Sequence, residues 1–121
     1  MSKLTGGERM YNLNTLAKKI NQTAHEKGFY DEKETTAAYM NRACANLHDE
    51  VSELHEAFRN GNLFKMTDKS IDMTFGEEEL ADIIIRALDT SQELNIDINA
   101  AVSKKMEYNL SRPYRHGNKK A

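Results

Sequence analysis

Residues 48–58 have the sequence HDEVSELHEAF, and residues 76–89 have the sequence GEEELADIIIRALD. Each stretch carries two acids three positions apart, Glu50 with Glu53 and Glu79 with Asp82. On an α-helix this spacing places both carboxylates of a pair on one face. Both stretches are otherwise rich in apolar residues at helical spacing, so they predict two helices that pack together.

Asp82 is the most informative of the four acids. It follows Leu80 and precedes the three isoleucines at 83–85, so its helix is apolar around most of its circumference. Such a helix is covered on more than one side, and a carboxylate placed there is costly unless a cation compensates it. We therefore expect the two pairs to form a site for a hard divalent ion. The alternative is that the acids are solvated and that Asp82 pairs with Arg86 one turn later.

Length and charge limit the class of protein. The chain has 121 residues, which fits a single domain over 1–121. The net charge is −2, but residues 104–121 contain six Lys or Arg and one Glu, which leaves an acidic body and a basic tail at 113–121. This distribution suits a metal ion and a polyanionic ligand better than a duplex nucleic acid.

Cysteine content and hydropathy point to a compartment. The single cysteine cannot form a disulfide within the chain, which is consistent with a reducing environment. The sequence has no signal-peptide core and no apolar run of membrane-spanning length. We expect a cytoplasmic protein that does not enter a membrane.

Helical periodicity recurs along most of the chain, and no strand-like alternation stands out. It predicts four helices, at about 8–27, 34–59, 77–93 and 98–110, with Asp97 as the N-cap of the last. These elements predict an all-α, four-helix bundle-like fold. The apolar connector between the second and third helices is expected to form a short extra turn that covers one end of the site or makes a subunit contact.

The second predicted helix, α2 at about 34–59, carries an apolar stripe with steps of four and three, which we call the α2 seam. Its members are Met40, Cys44, Leu47, Val51, Leu54 and Phe58. This pattern predicts lengthwise packing on another helix and a buried Cys44 thiol. The fourth helix is expected to bury Ile98, Ala101, Val102 and Met106. Glu77 and Glu78 are interpreted as first-turn acids that favour the helix dipole.

The motifs together resemble those of a known family. The segments at 25–31 (HEKGFYD), 49–62 (DEVSELHEAFRNGN), 77–89 (EEELADIIIRALD) and 103–120 (SKKMEYNLSRPYRHGNKK) are similar, in this order, to segments of the MazG-like all-α nucleoside triphosphate pyrophosphohydrolases. This family is related to the dimeric dUTPases and dCTP pyrophosphatases. The resemblance covers nearly the whole chain past the first ten residues.

The resemblance implies hydrolysis of a nucleoside triphosphate, ribo or deoxy, to the monophosphate and pyrophosphate, with a role in cleansing the nucleotide pool. It implies that Glu50, Glu53, Glu79 and Asp82 hold Mg²⁺, and we take Glu53 as the catalytic base. It also implies a homodimer or homotetramer with sites completed across subunits. The residues that match substrate-contacting positions are Lys105, Asn109 and Arg112, with Arg115 and Lys119 as further candidates. Because the chain has no Trp, stacking on the base would need Phe29, Tyr30 or Tyr39.

Two other functions remain open at this stage. The chain could be a non-catalytic helical interaction module, with solvated acids and a tail that binds a partner. It could also be a phosphoribosyl-ATP pyrophosphohydrolase built on the same scaffold. Asp82, within LADIII at 80–85, argues against a non-catalytic interaction module. Only a substrate panel separates a phosphoribosyl-ATP pyrophosphohydrolase from the other enzymes on this scaffold.

Overall fold

A computed structural model of the chain describes residues 12–115. Within this range the chain forms four α-helices, α1 (Leu13–Glu26), α2 (Thr36–Arg59), α3 (Phe75–Glu93) and α4 (Ile98–Leu110). The prediction of an all-α chain is confirmed, and the observed starts of α2 and α3 differ from the predicted ones by one half-turn. Residues 8–11 of the first predicted helix, and Lys119 in the tail, lie outside the described residues. In the described part of the chain, no helix combines the length and apolar character that crossing a bilayer requires.

Polar side chains fix where the helices begin. Asn12 and Thr35 accept hydrogen bonds from backbone N–H groups in the first turns of α1 and α2. Thr74 and Glu77 form a reciprocal capping box at the start of α3. Asp97 caps α4 by accepting from the backbone N–H of Ala100 at 3.0 Å, as the sequence predicts.

Helix α3 is the centre of the fold, because α1 and α2 both pack against it. Helix α2 runs antiparallel to α3: Tyr39, near the start of α2, donates to Thr90 near the end of α3 at 3.3 Å. Glu53, in the second half of α2, lies beside Glu79 in the first turns of α3. On the other side, the amide of Asn21 in α1 donates to Asp89 at 2.9 Å. The acids of the two motifs therefore face each other across the α2–α3 contact.

The buried core of the described chain is small. Its most buried apolar residues are Ala17, Tyr39, Ala43, Ala57 and Leu88. On α2 this buried stripe lies one position before the α2 seam, which is about 100° around the helix. Val51 and Phe58 of the seam are consequently 51% and 64% exposed. The expectation of a buried Cys44 is wrong, because its thiol lies on this exposed face.

Helix α4 contributes little to the core. It contacts α1 and α3 near its own start, where the backbone N–H of Asn99 donates to Asn14 at 3.0 Å. None of its residues is buried, and Ala101, Val102 and Met106 are exposed, while Ile98 is half-buried. The prediction that α4 buries these four residues is therefore wrong within a single copy of the chain. In the described part of the chain, α1, α2 and α3 form a layer with α3 in the middle, and α4 lies at its edge.

The connector at 60–74 folds back on itself through turns and forms no helix. The backbone N–H of Thr67 donates to Met73 at 2.9 Å, and that of Phe75 donates to Lys65 at 2.9 Å. These bonds close a small hairpin-like loop with an isolated β-bridge between Met66 and Thr74. The loop carries the side chain of Lys69 to the first turn of α3.

Gly76, in the first turn of α3, permits a close contact with this connector. Its N–H donates to the carbonyl of Leu63 at 2.8 Å. A Cβ at position 76 would lie 2.9 Å from the same carbonyl oxygen and 3.1 Å from Leu63 Cδ1. Only glycine leaves room for this approach.

We expect Gly76→Ala to lower the free energy of unfolding by about 1–3 kcal/mol, the usual cost of forcing an extra methyl into a tight contact. Urea denaturation measures the change. Ser52→Ala on the exposed face of α2 is the control and should stay within about 0.5 kcal/mol of the wild type. Equal midpoints for the wild type and Gly76→Ala would contradict a tight contact at this position.

Candidate metal centre and adjoining cleft

The two acidic motifs converge where α2 and α3 pack. One carboxylate oxygen each from Glu50, Glu53 and Glu79 lies within 4.8 Å of the others. Glu50 and Glu79 are buried, and Glu53 is exposed at the edge. The antiparallel packing of α2 on α3 brings these groups together, since the two motifs are far apart in sequence.

A second group of three acids lies on α3 alone. One carboxylate oxygen each from Glu78, Glu79 and Asp82 lies within 4.8 Å of the others, so Glu79 belongs to both groups. Glu78 is buried, and its carboxylate pairs with the ammonium group of Lys69. Glu78 lies in the first turn of α3, as the sequence analysis interprets it, and the ion pair with Lys69 is an additional contact that the sequence did not predict. The sequence did contain a signal, because Glu78 lies four positions before Asp82 and shares its helix face.

Two cations contact the acids in the described chain, Lys69 and Arg86. The Nε of Arg86 donates to Glu50 Oε1 at 2.8 Å, so Arg86 pairs across helices rather than with Asp82 on its own helix. The Oε2 atoms of Glu50, Glu78 and Glu79 are buried and accept no hydrogen bond from residues 12–115. Such orphaned carboxylate oxygens are costly without a cation.

Crowding changes the acidity of this cluster. Burial, followed by the hydrogen bond shared with Glu53 and the charges of Glu53, Asp82 and Glu50, raises the pKa of Glu79 to about 7. Burial also raises the pKa of Asp82 above its usual value. The charges of Glu50 and Glu78 raise it further, and Lys69 and Arg86 oppose this rise. Without a metal ion, the cluster holds a proton at a pH where separate carboxylates are ionised.

A cleft of about 660 Å³ adjoins the cluster between α1, α2 and α3. Glu50, Asp82 and Arg86 line one end of it, and Tyr30 and Tyr39 line the other. The remaining lining residues that carry charge or an amide are Lys19, Lys27, Arg42, Asn46 and Asp89. Glu53 and Glu79 line a separate, smaller hollow of about 360 Å³.

A polar network holds the aromatic end of the cleft. The Tyr30 hydroxyl donates to Asp89 at 2.5 Å and lies 3.0 Å from the Tyr39 hydroxyl. Burial, with the Asp89 bond next, raises the pKa of Tyr30 above its ordinary value. The His25 ring stacks on Tyr30 at 4.4 Å between centroids, and the Arg42 guanidinium lies 5.5 Å from the centre of the Tyr30 ring. The aromatic side chains are thus held in place before any ligand arrives.

The two tyrosines that the sequence offered for stacking, Tyr30 and Tyr39, line this cleft, as does Phe29. The residues matched to substrate-contacting positions do not. Lys105, Asn109, Arg112 and Arg115 lie on or after α4, and none of them lines the cleft of the same chain. Lys105 and Arg112 instead place their charges 4.7 and 5.6 Å from the Tyr108 ring centre.

The residues present suit a hard divalent cation. Mg²⁺ and Mn²⁺ prefer carboxylate oxygens, and the cluster offers several within the reach of a single ion. Within residues 12–115, buried oxygens of Glu50, Glu78 and Glu79 have no hydrogen-bond donor, and a bound cation would satisfy them. Comparison with known proteins finds no match, whether to family models, to curated proteins or to solved structures.

The raised pKa of Glu79 predicts how the metal-free protein responds to pH. The pKa of Glu79 is about 7 in the folded chain and about 4.5 in the unfolded chain, so the folded state binds more protons between these values. Stability should therefore fall as pH rises from about 4.5 through 7. We expect the melting temperature in EDTA to be lower at pH 8 than at pH 5.

Glu79→Gln should flatten this pH dependence, because the amide does not ionise. Glu56→Gln, on the exposed side of α2, should keep the wild-type slope. Differential scanning calorimetry from pH 5 to pH 8 measures the three proteins. Parallel curves for the wild type and Glu79→Gln would contradict a raised pKa at this position.

Proposed function

We propose that the protein is a Mg²⁺-dependent nucleoside triphosphate pyrophosphohydrolase that releases a nucleoside monophosphate and pyrophosphate. The observation that carries the proposal is the set of buried, unpaired carboxylate oxygens from α2 and α3 beside a cleft. The resemblance of the acidic motifs to the MazG-like family supports the same reaction. Cleansing of the nucleotide pool is the proposed role.

The arrangement of side chains along the cleft supports a nucleotide ligand. Tyr30, Tyr39 and the Arg42 guanidinium line the end that would hold the nucleoside, while Glu50 and Asp82 lie at the end that would hold metal-bound phosphates. From Asp82 to Asp89 the cleft follows seven residues of α3, or roughly 10 Å. This length suits a nucleoside with its phosphates extended toward the acids.

The acids would hold the ion that the reaction needs. Bound Mg²⁺ supplies charge for the phosphate oxygens and lowers the pKa of water. Glu50, Glu53, Glu79 and Asp82 are the ligands in this proposal. Glu53 is the base, because its carboxylate is exposed at the edge of the cluster, where it can accept a proton from water.

Positively charged groups must neutralise the negative charge of the triphosphate. Arg86 lines the cleft and supplies one positive charge beside the acids. Lys105, Asn109, Arg112, Arg115 and Lys119 are proposed to contact phosphate or sugar. Because the described ones lie outside the cleft of their own chain, they would act on the site of a neighbouring subunit.

We expect Glu53→Gln and Asp82→Asn each to reduce kcat by at least about 100-fold, the usual scale for losing a general base or a metal ligand. Release of pyrophosphate from a panel of canonical and oxidised nucleotides, with phosphoribosyl-ATP included, measures the reaction in Mg²⁺ and in EDTA. The panel also identifies the preferred base and sugar.

Asp49→Asn is the matched control, since Asp49 lies on the same helix but is exposed. It should keep wild-type turnover, and all variants should keep the helical circular dichroism of the parent. Full activity in both Glu53→Gln and Asp82→Asn would refute the metal assignment. Hydrolysis of no nucleotide by the wild type would favour the interaction module.

A homo-oligomer, either a dimer or a tetramer, is part of the proposal. The small core and the exposed apolar faces support it. Val51 and Phe58 on α2, and Leu80 and Ile84 on α3, are all about half exposed or more. Large exposed apolar side chains that share a helix face are common at protein interfaces. Burial of the α2 seam against a second copy would complete the lengthwise packing that its periodicity predicts.

Sedimentation velocity at micromolar concentration should show a dimer or tetramer. Val51→Glu should dissociate it, because a charge placed in an apolar interface is poorly compensated. Ser52→Glu, on an exposed part of the same helix, is the control and should leave the assembly intact if the seam is the contact. A wild-type monomer would contradict this part of the proposal.

A further inference from the structure

The two tyrosines at the aromatic end of the cleft already have partners within the chain. The His25 ring stacks on Tyr30 with 4.4 Å between centroids, and the guanidinium carbon of Arg42 lies over the same Tyr30 ring. Tyr39 is buried, and the guanidinium carbon lies over its ring too, 5.4 Å from the centroid. The Tyr30 hydroxyl is engaged as well, because it donates to Asp89. Both rings therefore support Arg42 rather than face the cleft as free surfaces.

The guanidinium of Arg42 is held in place but remains open to the cleft. Its Nε donates to both carboxylate oxygens of Glu34 at 3.1 Å, and its Nη2 donates to Glu34 Oε1 at 2.6 Å. This pairing uses N–H groups along one edge of the guanidinium and leaves its plane available for stacking. The Arg42 side chain is 36% exposed and lines the cleft, so a ligand there can contact it without displacing Glu34.

The position of Arg42 on α2 matches the position expected of a nucleobase. Arg42, Asn46 and Glu50 follow one another at intervals of four residues, and all three line the cleft. Residues at this spacing share one helix face, so they mark a path along α2 from the aromatic end to the acids. Eight residues of α2 span roughly 12 Å. A nucleotide with its metal-bound phosphates at Glu50 therefore has its base at Arg42.

We propose that the Arg42 guanidinium, held by Glu34 and by the two tyrosines, is the surface on which the nucleobase of the substrate stacks. Every base has a π-face that can stack on an arginine plane, so this contact binds the base without selecting one. The inference rests on the proposed function for the orientation of the nucleotide. It differs from the sequence-based expectation of stacking on Tyr30 or Tyr39. The rival surface is Phe29, which is 67% exposed and lines the same cleft.

The test measures ligand binding by isothermal titration calorimetry in Mg²⁺. The nucleotide probes are the α,β-methylene triphosphates of adenosine, guanosine, cytidine and uridine, in which a methylene group replaces the oxygen of the bond that the proposed reaction breaks. Inorganic tripolyphosphate is the probe without a base. Arg42→Lys keeps the charge but loses the planar group. We expect it to weaken binding of the nucleotide probes about tenfold, the usual scale of a stacking contact, and to leave tripolyphosphate binding unchanged.

Glu34→Gln tests the positioning of the guanidinium. It should weaken binding of the nucleotide probes about threefold, because an amide holds Arg42 less firmly than a carboxylate does. Arg59→Lys is the matched control, since Arg59 is exposed in the last turn of α2 and lies outside the cleft. It should bind every probe as the wild type does. Circular dichroism confirms that each variant is folded, and Glu34→Gln tests the inference even if Arg42→Lys fails to fold.

Three results would overturn the inference. Equal weakening of the nucleotide probes and of tripolyphosphate by Arg42→Lys would assign Arg42 to the phosphates. Unchanged nucleotide binding in Arg42→Lys, with a loss in Phe29→Leu, would assign the base to Phe29. A wild type that binds the nucleotide probes no more tightly than tripolyphosphate would show that the base makes no stacking contact.

The proposed function is decided separately, by release of pyrophosphate from the substrate panel. Release of pyrophosphate together with any of these three results refutes the role of Arg42 and leaves the hydrolase standing. A wild type that hydrolyses no nucleotide, while Arg42→Lys still weakens binding of the nucleotide probes alone, keeps the Arg42 contact and refutes the hydrolase. A wild type that binds no probe refutes both.

Discussion

Repulsion between carboxylates held by two packed helices is the constraint around which this molecule is arranged. Glu50 and Glu79 come from different helices, yet both are buried at the same contact. Burial, followed by the hydrogen bond and charges of the neighbouring acids, raises the pKa of Glu79 to about 7. Only Arg86 and Lys69 oppose the acids within the described chain. A fold that buries acids in this way gains little stability from them, so their arrangement is explained better by binding than by packing.

Helix α3 connects the structural and chemical features of the chain. Its first turn is fixed by the capping box and by the close approach of Gly76 to the connector. Its middle carries Asp82 and Arg86 to one end of the cleft, and its last turns carry Asp89 and Thr90 to the other. The contacts of Asp89 with Tyr30 and Asn21 tie α1 and the following loop to the same helix. One rigid element thus sets the distance between the acids and the aromatic side chains.

The exposed seam of α2 and the edge position of α4 have a common consequence. A chain whose most buried side chains include three alanines has little core of its own. Contacts with further copies would bury the remaining apolar faces and would also explain how charges on α4 reach a cleft that they do not line in their own chain. Assembly and site are therefore linked in the proposed function.

The sequence by itself determined the all-α class, the bounds of α2, α3 and α4 to within two residues, and the placement of each acid pair on one helix face. These follow from local rules, namely the helical period, the caps and the spacing of three. The sequence did not determine which faces of the helices pack against each other. The seam pattern predicted that Val51 and Phe58 are buried, but Ala43 and Ala57 are buried instead, because small residues next to α3 permit closer helix contact. Glu78 and Lys69 met only in the tertiary structure, since the ion pair depends on how the connector folds back over α3. Local periodicity restricts the possible faces, and the contact between helices decides which of them becomes the site.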